Sequence, residues 1–580
     1  MQIEQDRTDI LILGAGGAGL MAALHATDSN PEIDVTIVVK GLLGKSGCTR
    51  MVQGGYNAAI AAGDSIPRHF MDTIEGGKWI NNQALSWRLV TEAVPRLIEL
   101  ENRWGCFFDR NPDGTIHQKA FAGQTFDRTV HKGDLTGIEI MNRLAEQVWA
   151  RPVRRLEEHR AIALIPSADR ARIVGALMID IRTGAFRLIQ AKAVLLATGG
   201  GPTMYRYHTP SGDKSSDGYA MALRAGLSLR DMEMVQFHPT GLLAGPHTRM
   251  TGTVLEEGLR GAGGYLLDGD GDRFMERYDP KAERATRDIV SRAMAREIRE
   301  GRTTPNDGLY IKMNHLGTDH VRKNFKGMVE RCADCGFDLA GGLVEVVPTA
   351  HYMMGGVVFE ADSGTALPGV YAAGEDTGGV HGANRLGGNG VANSTVFGGI
   401  AGATMAAAVK TEPEWQAPDW STVGAAIEAA LAPFHRKPGD IAALRERLGD
   451  LMWQKAGILR QESDLIAARD ELSALNQELH ATGLGDSEKA FNLTWQDWLN
   501  LDSLTLTSRA IVEAALARTD SRGAHFREDF PETGDLESSR YTCVRLENDS
   551  LEVTTEPVAF THVKPGETLL DQQEAAAAAE

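Results

Sequence analysis

The sequence predicts an α/β fold in which a Rossmann-like nucleotide-binding domain is interrupted by an inserted domain and followed by a helical domain. Three apolar runs, at residues 10–13, 191–201 and 367–375, end in glycine or a polar turn and predict buried strands of one sheet. They lie far apart along the chain, so other segments must be inserted between them. Beyond Lys410, residues 425–434, 441–455, 463–481 and 501–518 have helical periodicity with few β-branched runs.

A glycine-rich turn follows the first predicted strand. Gly14, Gly16 and Gly19 give the spacing GxGxxG, and helix-forming residues come directly after it. In a strand–turn–helix context such glycines allow a tight turn, a close approach of the backbone to a pyrophosphate, and close packing of helix on strand. The turn therefore predicts a dinucleotide site.

The later strand ends distinguish between dinucleotides. Residues 35–39 end at Lys40, where an acidic residue usually holds the adenosine ribose of NAD. Residues 41–60 are rich in glycine and small polar residues, and Glu375 ends the last strand, where it could hydrogen-bond a ribityl hydroxyl. Strand ends from three distant segments favour FAD, the larger ligand. The cofactor residues predicted from these segments are Gly14, Gly16, Gly19, Lys40, Cys48, Gln53, Gly54, Gly55, Thr198, Gly199, Gly200 and Glu375.

Composition and charge exclude several classes of function. The chain has 580 residues and a formal net charge of −18, which argues against nucleic acid and anionic membrane as general partners. No segment approaches the roughly 20 apolar residues of a membrane span, and the polar start lacks the apolar core of a secretory signal. Five cysteines fit a reducing cytoplasm. Cys332 and Cys335 form a CxxC pair without the further ligands that zinc needs, and no cysteine cluster could ligate iron–sulfur, so we expect no metal site.

Four segments rich in hydrogen-bond donors follow the second predicted strand. They read QFHPTG, TRDIVSR, PTAHYMMGG and HGANRLGGN, and they contribute His238, Arg287, His351 and Arg385. Arginine forks bind carboxylates bidentately, and neutral histidines supply further donors. In a chain of strongly negative charge, this inventory predicts a local site for a small dianion.

Ten segments in a shared order, between about residue 10 and residue 529, resemble a known family. Besides the glycine turn and the donor segments they include VQGGYNAAI, EEGLRGAGGYLLDGDGDRFMERYDP, GVYAAGE and SRGAHFRED. The chain resembles the flavoprotein subunit of succinate dehydrogenases and fumarate reductases, a family that includes L-aspartate oxidase. The resemblance implies an FAD enzyme that interconverts a saturated dicarboxylate and its α,β-unsaturated partner, with hydride passing through flavin N5.

The resemblance also implies roles for individual residues. Arg287 would pass the proton, with Glu257 and Arg260 as a relay, because an arginine at its ordinary pKa is a poor acid. The implied substrate-binding residues are His238, His351, Arg385, Phe121 and Glu256, and the further cofactor-binding residues are Asp217, Asn384 and Arg385.

The family's organisation implies five parts. Residues 1–240 and 353–412 would form a Rossmann-like FAD-binding domain, residues 241–352 an α+β capping domain, residues 413–520 an α-helical domain, and residues 521–580 a C-terminal segment with a disordered tail. In the family the helical domain helps to contact an iron–sulfur subunit, so an iron–sulfur subunit and a membrane anchor are expected partners. We expect a cytoplasmic protein held at the inner face of the cell membrane through such partners.

Two positions depart from the family pattern. Members with covalent flavin have a histidine five residues before the glutamine of QGG, whereas this chain has Cys48. Cys48 predicts non-covalent FAD, with a thioether as the alternative. Where the family has a threonine before the relay glutamate, this chain has Glu256. Two carboxylates about 4 Å apart repel by about 1 to 4 kcal/mol, so either Glu256 turns away or is protonated, or the substrate carries a hydroxyl, amide or ammonium there.

Other functions stay open at this point. L-aspartate oxidase has an ammonium substrate and non-covalent flavin, but the stretch FAGQTFDRTVHKGDLTG looks more like fumarate reductase and lacks the glutamate expected to receive that ammonium. A related dicarboxylate dehydrogenase with an altered substrate is a second alternative. A flavin-binding electron-transfer component without dehydrogenase activity is a third.

Overall fold

The structure is a computed structural model that describes residues 3–212, 214–245, 248–411 and 414–571. Its strands are β1 (Glu4–Leu13), β2 (Val35–Val39), β3 (Tyr56–Asn57), β4 (Gln118–Lys119), β5 (Thr129–Val130), β6 (Val153–Glu157), β7 (His159–Pro166), β8 (Ile173–Asp180), β9 (Phe186–Leu196), β10 (Leu229–Arg230), β11 (Val235–Leu242), β12 (Tyr265–Leu267), β13 (Leu309–Lys312), β14 (Leu343–Met353), β15 (Gly356–Val357), β16 (Val370–Ala372), β17 (Arg540–Glu547) and β18 (Ser550–Pro557). Its α-helices are α1 (Gly17–Ser29), α2 (Ile66–Gly76), α3 (Gln83–Asn102), α4 (Thr136–Trp149), α5 (Asp217–Arg224), α6 (Gly258–Gly261), α7 (Arg287–Arg299), α8 (Thr318–Asn324), α9 (Lys326–Asp334), α10 (Asn389–Thr411), α11 (Trp420–Leu431), α12 (Ile441–Lys455), α13 (Glu462–Ala481) and α14 (Leu493–Ala517). The predicted disordered tail lies beyond residue 571, outside the described residues.

The three predicted strands meet in one seven-stranded sheet. Its order is β6-β2-β1-β9-β8-β7, and β16 also pairs with β9. The pairs β1–β2, β1–β9, β9–β16 and β2–β6 are parallel, and the register aligns Leu13 with Leu196 and Leu196 with Ala372. The carboxyl ends of β1, β9 and β16 therefore meet at one edge, as the sequence predicted.

Helices α1 and α10 pack together beside this sheet, and glycine makes their approach possible. A Cβ on Gly398 would lie 2.4 Å from the Ala18 oxygen, and one on Gly402 would lie 2.2 Å from the Ala22 oxygen. Since α10 is buried over most of its length, the pair forms a rigid support under the glycine turn that precedes α1.

A second core lies in the segment between β11 and β14. Strands β11, β14, β13 and β12 form an antiparallel sheet, and a separate cluster of buried apolar residues extends from Leu242 to Val346. The predicted capping-domain boundaries, at residues 241 and 352, fall within β11 and β14. These two strands therefore connect the second core to the cofactor region, while the division into domains stays a prediction.

The region after α10 is helical, with two predicted boundaries corrected. Helices α12 and α13 lie where the periodicity placed them, but α11 begins at Trp420 rather than at residue 425, and α14 begins at Leu493 rather than at residue 501. The Asn492 side chain accepts a hydrogen bond from the Trp495 N–H and caps this helix. Strands β17 and β18 form a hairpin that pairs with β10, which the sequence analysis did not predict. None of the described helices is long and apolar enough to span a bilayer.

Candidate active site

A cavity of about 480 Å³ lies where the strand ends meet the second core. Most of the predicted site residues line it. They are Gly14, Gly16, Lys40, Cys48, Gln53, Gly54, Gly55, Phe121, Thr198, Gly199, Asp217, His238, Glu256, Glu257, Arg287, His351, Glu375 and Arg385. Gly19, Gly200, Arg260 and Asn384 lie behind the wall rather than on it.

The glycine turn leaves room for a ligand that approaches the backbone closely. Gly14 has φ +113°, and a Cβ there would lie 2.1 Å from the Ala197 oxygen. Gly19 does not line the cavity, but a Cβ on it would lie 2.0 Å from the Gly14 oxygen, so its role is to let α1 pack on the turn. Gly16 caps α1 without a side-chain acceptor, which leaves the positive helix end beside the cavity. These features fit the pyrophosphate of a dinucleotide.

Lys40 and Asp217 line the cavity and bind each other. Lys40 Nζ donates to Asp217 Oδ2 at 3.0 Å and to Asn500 Oδ1 of α14 at 3.2 Å, and Arg160 Nη2 donates to Asp217 Oδ1 at 2.7 Å. Burial lowers the pKa of Lys40 to about 8. Burial opposes ionisation of Asp217, but Arg160 and Lys40 hold its pKa well below the ordinary value. The two residues thus form a buried ion pair that anchors this wall to the helical region.

Two acidic residues hold the other strand ends. Glu375 Oε1 accepts from the Met353 N–H at 3.0 Å, and burial raises the pKa of Glu375 to about 7. The neighbouring Asp376 accepts from Thr198 Oγ1 at 3.0 Å and from the Gly199 N–H at 3.1 Å. Asp376 was not predicted, because its role depends on β9 and β16 being adjacent.

Arg287 lines the cavity and is held by two acceptors, of which Glu257 also lines it. Its Nε donates to Glu257 Oε2 at 2.8 Å, its Nη2 lies 2.6 Å from the same oxygen, and its Nη1 donates to Gln236 Oε1 at 3.1 Å. Asn384 stands behind this contact, where its Oδ1 accepts from Gln236 Nε2 at 3.0 Å. Gln236, in the QFHPTG segment, therefore positions Arg287, and this role was not predicted from the sequence.

Glu257 connects Arg287 to Arg260. Arg260 Nη2 lies 3.9 Å from Glu257 Oε1, beyond hydrogen-bond length, and Arg260 Nη1 donates to the Glu283 backbone oxygen at 2.6 Å. Burial opposes ionisation of Glu257, yet Arg287 and Arg260 hold its pKa below the ordinary value. The structure thus brings the three predicted relay residues into the order Arg287, Glu257, Arg260, with one of the two links longer than a hydrogen bond.

His238 and His351 lie in edge contact with each other on the wall of the same cavity. Their ring centroids are 5.4 Å apart. His238 Nδ1 accepts from the Thr240 N–H at 3.3 Å, and His351 Nδ1 lies 2.9 Å from Thr209 Oγ1. Burial, together with the nearby charge of Arg287, lowers the pKa of both histidines well below the ordinary value. Two neutral imidazoles result, and the Nε2 of His238 is left as a donor.

Arg385 supplies the second positive charge of the site. Its guanidinium carbon lies 4.4 Å from the centroid of the Tyr352 ring. Burial, together with the repulsion from Arg287, lowers the pKa of Arg385 to about 10. Arg385 Nε has no hydrogen-bond partner among the described residues. A buried guanidinium with an unused donor and an adjacent like charge favours an anionic ligand.

Phe121 occupies a slot made by two glycines. A Cβ on Gly54 would lie 2.6 Å from the Phe121 ring, and one on Gly387 would lie 2.5 Å from it. The aromatic ring therefore packs directly on two backbone segments and closes the cavity wall between them. Gly387 was not predicted as part of the site.

Glu256 is one of the residues that line the cavity. Its Oε2 is 3.7 Å from Lys119 Nζ, and among the described residues this oxygen has no hydrogen-bond partner. Burial raises the pKa of Glu256 above the ordinary value. Arg331 of α9 lines the same wall, and neither it nor Lys119 was predicted.

Cys48 begins a short 3-10 helix, Cys48–Met51, whose residues line the cavity. The cysteine is partly exposed. In the same segment Gln53 Nε2 donates to the Val254 oxygen at 3.3 Å. Among the described residues, no group of three or more His, Cys, Asp or Glu side chains could hold a metal ion.

Two family models account for most of the chain. The FAD binding domain matches residues 9–391, and the fumarate reductase flavoprotein C-terminus matches residues 445–569. The chain belongs to the flavoprotein family of fumarate reductases and succinate dehydrogenases. Membership confirms the predicted fold class, FAD as the cofactor, and an oxidoreductase.

Individual members of this family match over nearly their whole length. The fumarate reductase flavoprotein subunit of Mycobacterium tuberculosis is 36% identical over 583 residues, which cover 96% of this chain and 98% of that protein. One of the subunits of fumarate reductase (CoM/CoB) from Methanothermobacter marburgensis is 39% identical over 540 residues, covering 92% and 96%. FrdA of Escherichia coli quinol fumarate reductase superposes with a TM-score of 0.92 at 31% identity, covering 97% and 99%.

Proposed function

We propose that this flavoprotein interconverts a saturated dicarboxylate and its α,β-unsaturated partner, in a reaction of the succinate/fumarate type. The observation that carries the proposal is the group of two neutral histidines and two guanidinium groups, from His238, His351, Arg287 and Arg385, around one cavity. Such a set suits a ligand with a carboxylate at each end, because guanidinium groups and neutral imidazoles can both donate to its oxygens. Similarity to named fumarate reductase subunits supports the same reaction.

The glycine-lined part of the cavity would hold FAD. When bound, FAD supplies the ring that takes or gives the hydride in this class of reaction. Gly14, Gly16 and the positive end of α1 would accept the pyrophosphate, and Glu375 would face the ribityl chain. Because Cys48 stands where covalent members have histidine, we propose that FAD is held without a covalent bond.

The side chains of this protein would align the substrate and move its proton. Arg385, His238 and His351 would bind the carboxylates and fix the reacting carbons, which is the main requirement of a reaction between two positioned groups. Arg287 would transfer the proton to or from the substrate. Glu257, with the help of Arg260, would then return Arg287 to its starting protonation state. The two acceptors on Arg287 keep its guanidinium plane in one orientation.

We further propose that the protein works within a larger assembly. Several relatives are named flavoprotein subunits. By that similarity an iron–sulfur subunit would take electrons from the flavin, and a membrane anchor would hold the complex at the inner face of the cell membrane. The helical region from α11 to α14 would contribute to the contact.

Turnover by the FAD-loaded protein tests the proposal. Under nitrogen, fumarate should oxidise reduced methyl viologen, and succinate should reduce an artificial dye. A protein that contains full FAD but is inert towards a panel of four-carbon dicarboxylates would contradict the proposal and favour the electron-transfer component.

Glu256 on the cavity wall supports a second candidate. A carboxylate there suits an ammonium or hydroxyl on the substrate, as in the oxidation of L-aspartate or in a dehydrogenase of a substituted dicarboxylate. Peroxide formed from L-aspartate and oxygen would select the aspartate reaction, in which either fumarate or oxygen accepts the electrons.

A further inference from the structure

Glu256 is held in place on the cavity wall by its backbone. The Leu255 N–H donates to the Thr240 oxygen at 2.9 Å, and Thr240 Oγ1 donates to the Leu255 oxygen at 2.7 Å. Arg331 Nη1 donates to the oxygen of Val254 at 2.9 Å. The two residues directly before Glu256 are therefore tied to β11 and α9, which fixes the point from which the Glu256 side chain extends.

The groups around Glu256 balance its charge only in part. Lys119 on β4 and Arg331 on α9 lower the pKa of Glu256. Asp134, in the loop before α4, raises it. On its own segment the neighbour is Glu257, which is already paired with the arginines of the site. Lys119 Nζ lies at 3.7 Å from Glu256 Oε2, too far for a hydrogen bond. One carboxylate oxygen thus stays buried and without a hydrogen bond among the described residues.

We infer that binding of a dicarboxylate in this cavity is coupled to the uptake of one proton from solvent by Glu256, whose neutral carboxyl then donates a hydrogen bond to a substrate carboxylate. The inference rests on the proposed function, because it requires a dianionic ligand. No electron moves in this step, and the only bond formed is the O–H of Glu256. The carboxyl would serve as the donor that a threonine hydroxyl provides elsewhere in the family.

Electrostatics favours this protonation over an ionised pair. Repulsion between two carboxylates about 4 Å apart weakens ligand binding about fivefold in watery surroundings. In partly buried surroundings the weakening reaches several hundredfold. Burial has already raised the pKa of Glu256 in the free protein, and a substrate carboxylate raises it further. When Glu256 and the substrate carboxylate share one proton, a hydrogen bond between them replaces their repulsion.

Linkage gives the direction of the pH dependence. Below the pKa of Glu256 in the free protein, the group is protonated before binding, and Kd for fumarate does not change with pH. Above that pKa the bound form holds one proton more than the free form, so Kd rises about tenfold per pH unit. This rise continues until the pH reaches the pKa of the complex.

Isothermal titration calorimetry of the oxidised, FAD-loaded protein with fumarate tests the inference, because no turnover occurs without an electron donor. Repeating the titration in phosphate and in Tris, at a pH above the onset of the rise in Kd, gives the number of protons taken up, from the different ionisation enthalpies of the buffers. We expect close to one proton for the unaltered protein. For Glu256→Gln, which keeps a donor but cannot titrate, we expect close to none and a Kd that is flat with pH.

Two further variants keep the test decisive if Glu256→Gln does not fold. Lys119→Met removes a positive charge that lowers the pKa of Glu256, so the onset of the Kd rise should move to higher pH. Asp134→Asn removes a negative charge that raises this pKa, so the onset should move to lower pH. Equal proton uptake in the unaltered protein and in Glu256→Gln would overturn the inference, as would an onset that neither charge variant moves. Absence of any fumarate binding would instead contradict the proposed function.

Discussion

Replacement of Arg287 by lysine probes the proposed proton path at its first member. The guanidinium reaches Glu257 Oε2 through Nε at 2.8 Å and Nη2 at 2.6 Å, and it reaches Gln236 through Nη1 at 3.1 Å. A lysine keeps the positive charge, but its single ammonium cannot reproduce a planar fork that holds both acceptors. Arg287→Lys therefore changes the donor and its orientation without changing the net charge.

The structure sets the size of the expected effect. Each hydrogen bond to a charged group contributes about 1.5 to 3 kcal/mol, and one or two are lost or bent in the variant. A positioned general acid accelerates reactions about 10²- to 10⁴-fold. We expect kcat for fumarate to fall by about 10² to 10⁴, while the FAD content stays unchanged, because Arg287 lies outside the glycine turn.

Viologen oxidation under nitrogen measures the turnover, and the flavin absorbance of the same sample measures the FAD content. Arg299→Lys is the matched control, since Arg299 lies on the same helix and its side chain is exposed and paired with Glu528. It should behave as the unaltered protein does. If Arg287→Lys keeps turnover within tenfold of the unaltered protein at full FAD content, Arg287 is not the proton donor.

Three further outcomes are expected. Glu256→Thr should improve the use of fumarate at a pH above the pKa of Glu256 in the free protein, where the glutamate is ionised before binding; an unchanged substrate profile would place Glu256 outside the substrate contact. Acid precipitation should release the flavin into solution, because Cys48 makes no covalent bond in the proposed state; colour that stays in the pellet would show a thioether. Burial raises the pKa of Glu375 from 4.5 to about 7, so its contribution to stability is complete below pH 4.5 and is lost as pH rises to about 7. That loss is about 3 kcal/mol, and Glu375→Gln should flatten the fall in the free energy of unfolding between pH 5 and pH 8, which urea titration measures.

The charge distribution would allow an acidic chain to bind the proposed dianion. The formal net charge is −18, but the cavity gathers Arg287 and Arg385, together with neutral histidines. Both guanidinium groups are largely buried, and burial, together with repulsion from Arg287, lowers the pKa of Arg385. Anion binding relieves that repulsion, so the site has its own source of affinity despite the field of the whole protein.

The sequence alone determined those features that depend on local geometry. The turn at Gly14 needs a positive φ and a backbone approach that other residues resist, so its spacing indicated the nucleotide site directly. The donor segments around His238 and Arg287 were likewise visible, because each motif is continuous in the chain. Helix α14 was placed too late, since most residues from Trp495 to Asn500 are buried and leave no clear amphipathic period.

Only the tertiary structure decided the charge environment of each site residue. Lys119 and Arg331 flank Glu256 from β4 and α9, Asn500 completes the Lys40 pair from α14, and Asp376 holds the end of β9. Coulomb energy and desolvation depend on distance through space and on burial. Neither quantity follows from separation along the chain, so the sequence could raise the conflict at Glu256 but could not show which groups surround it.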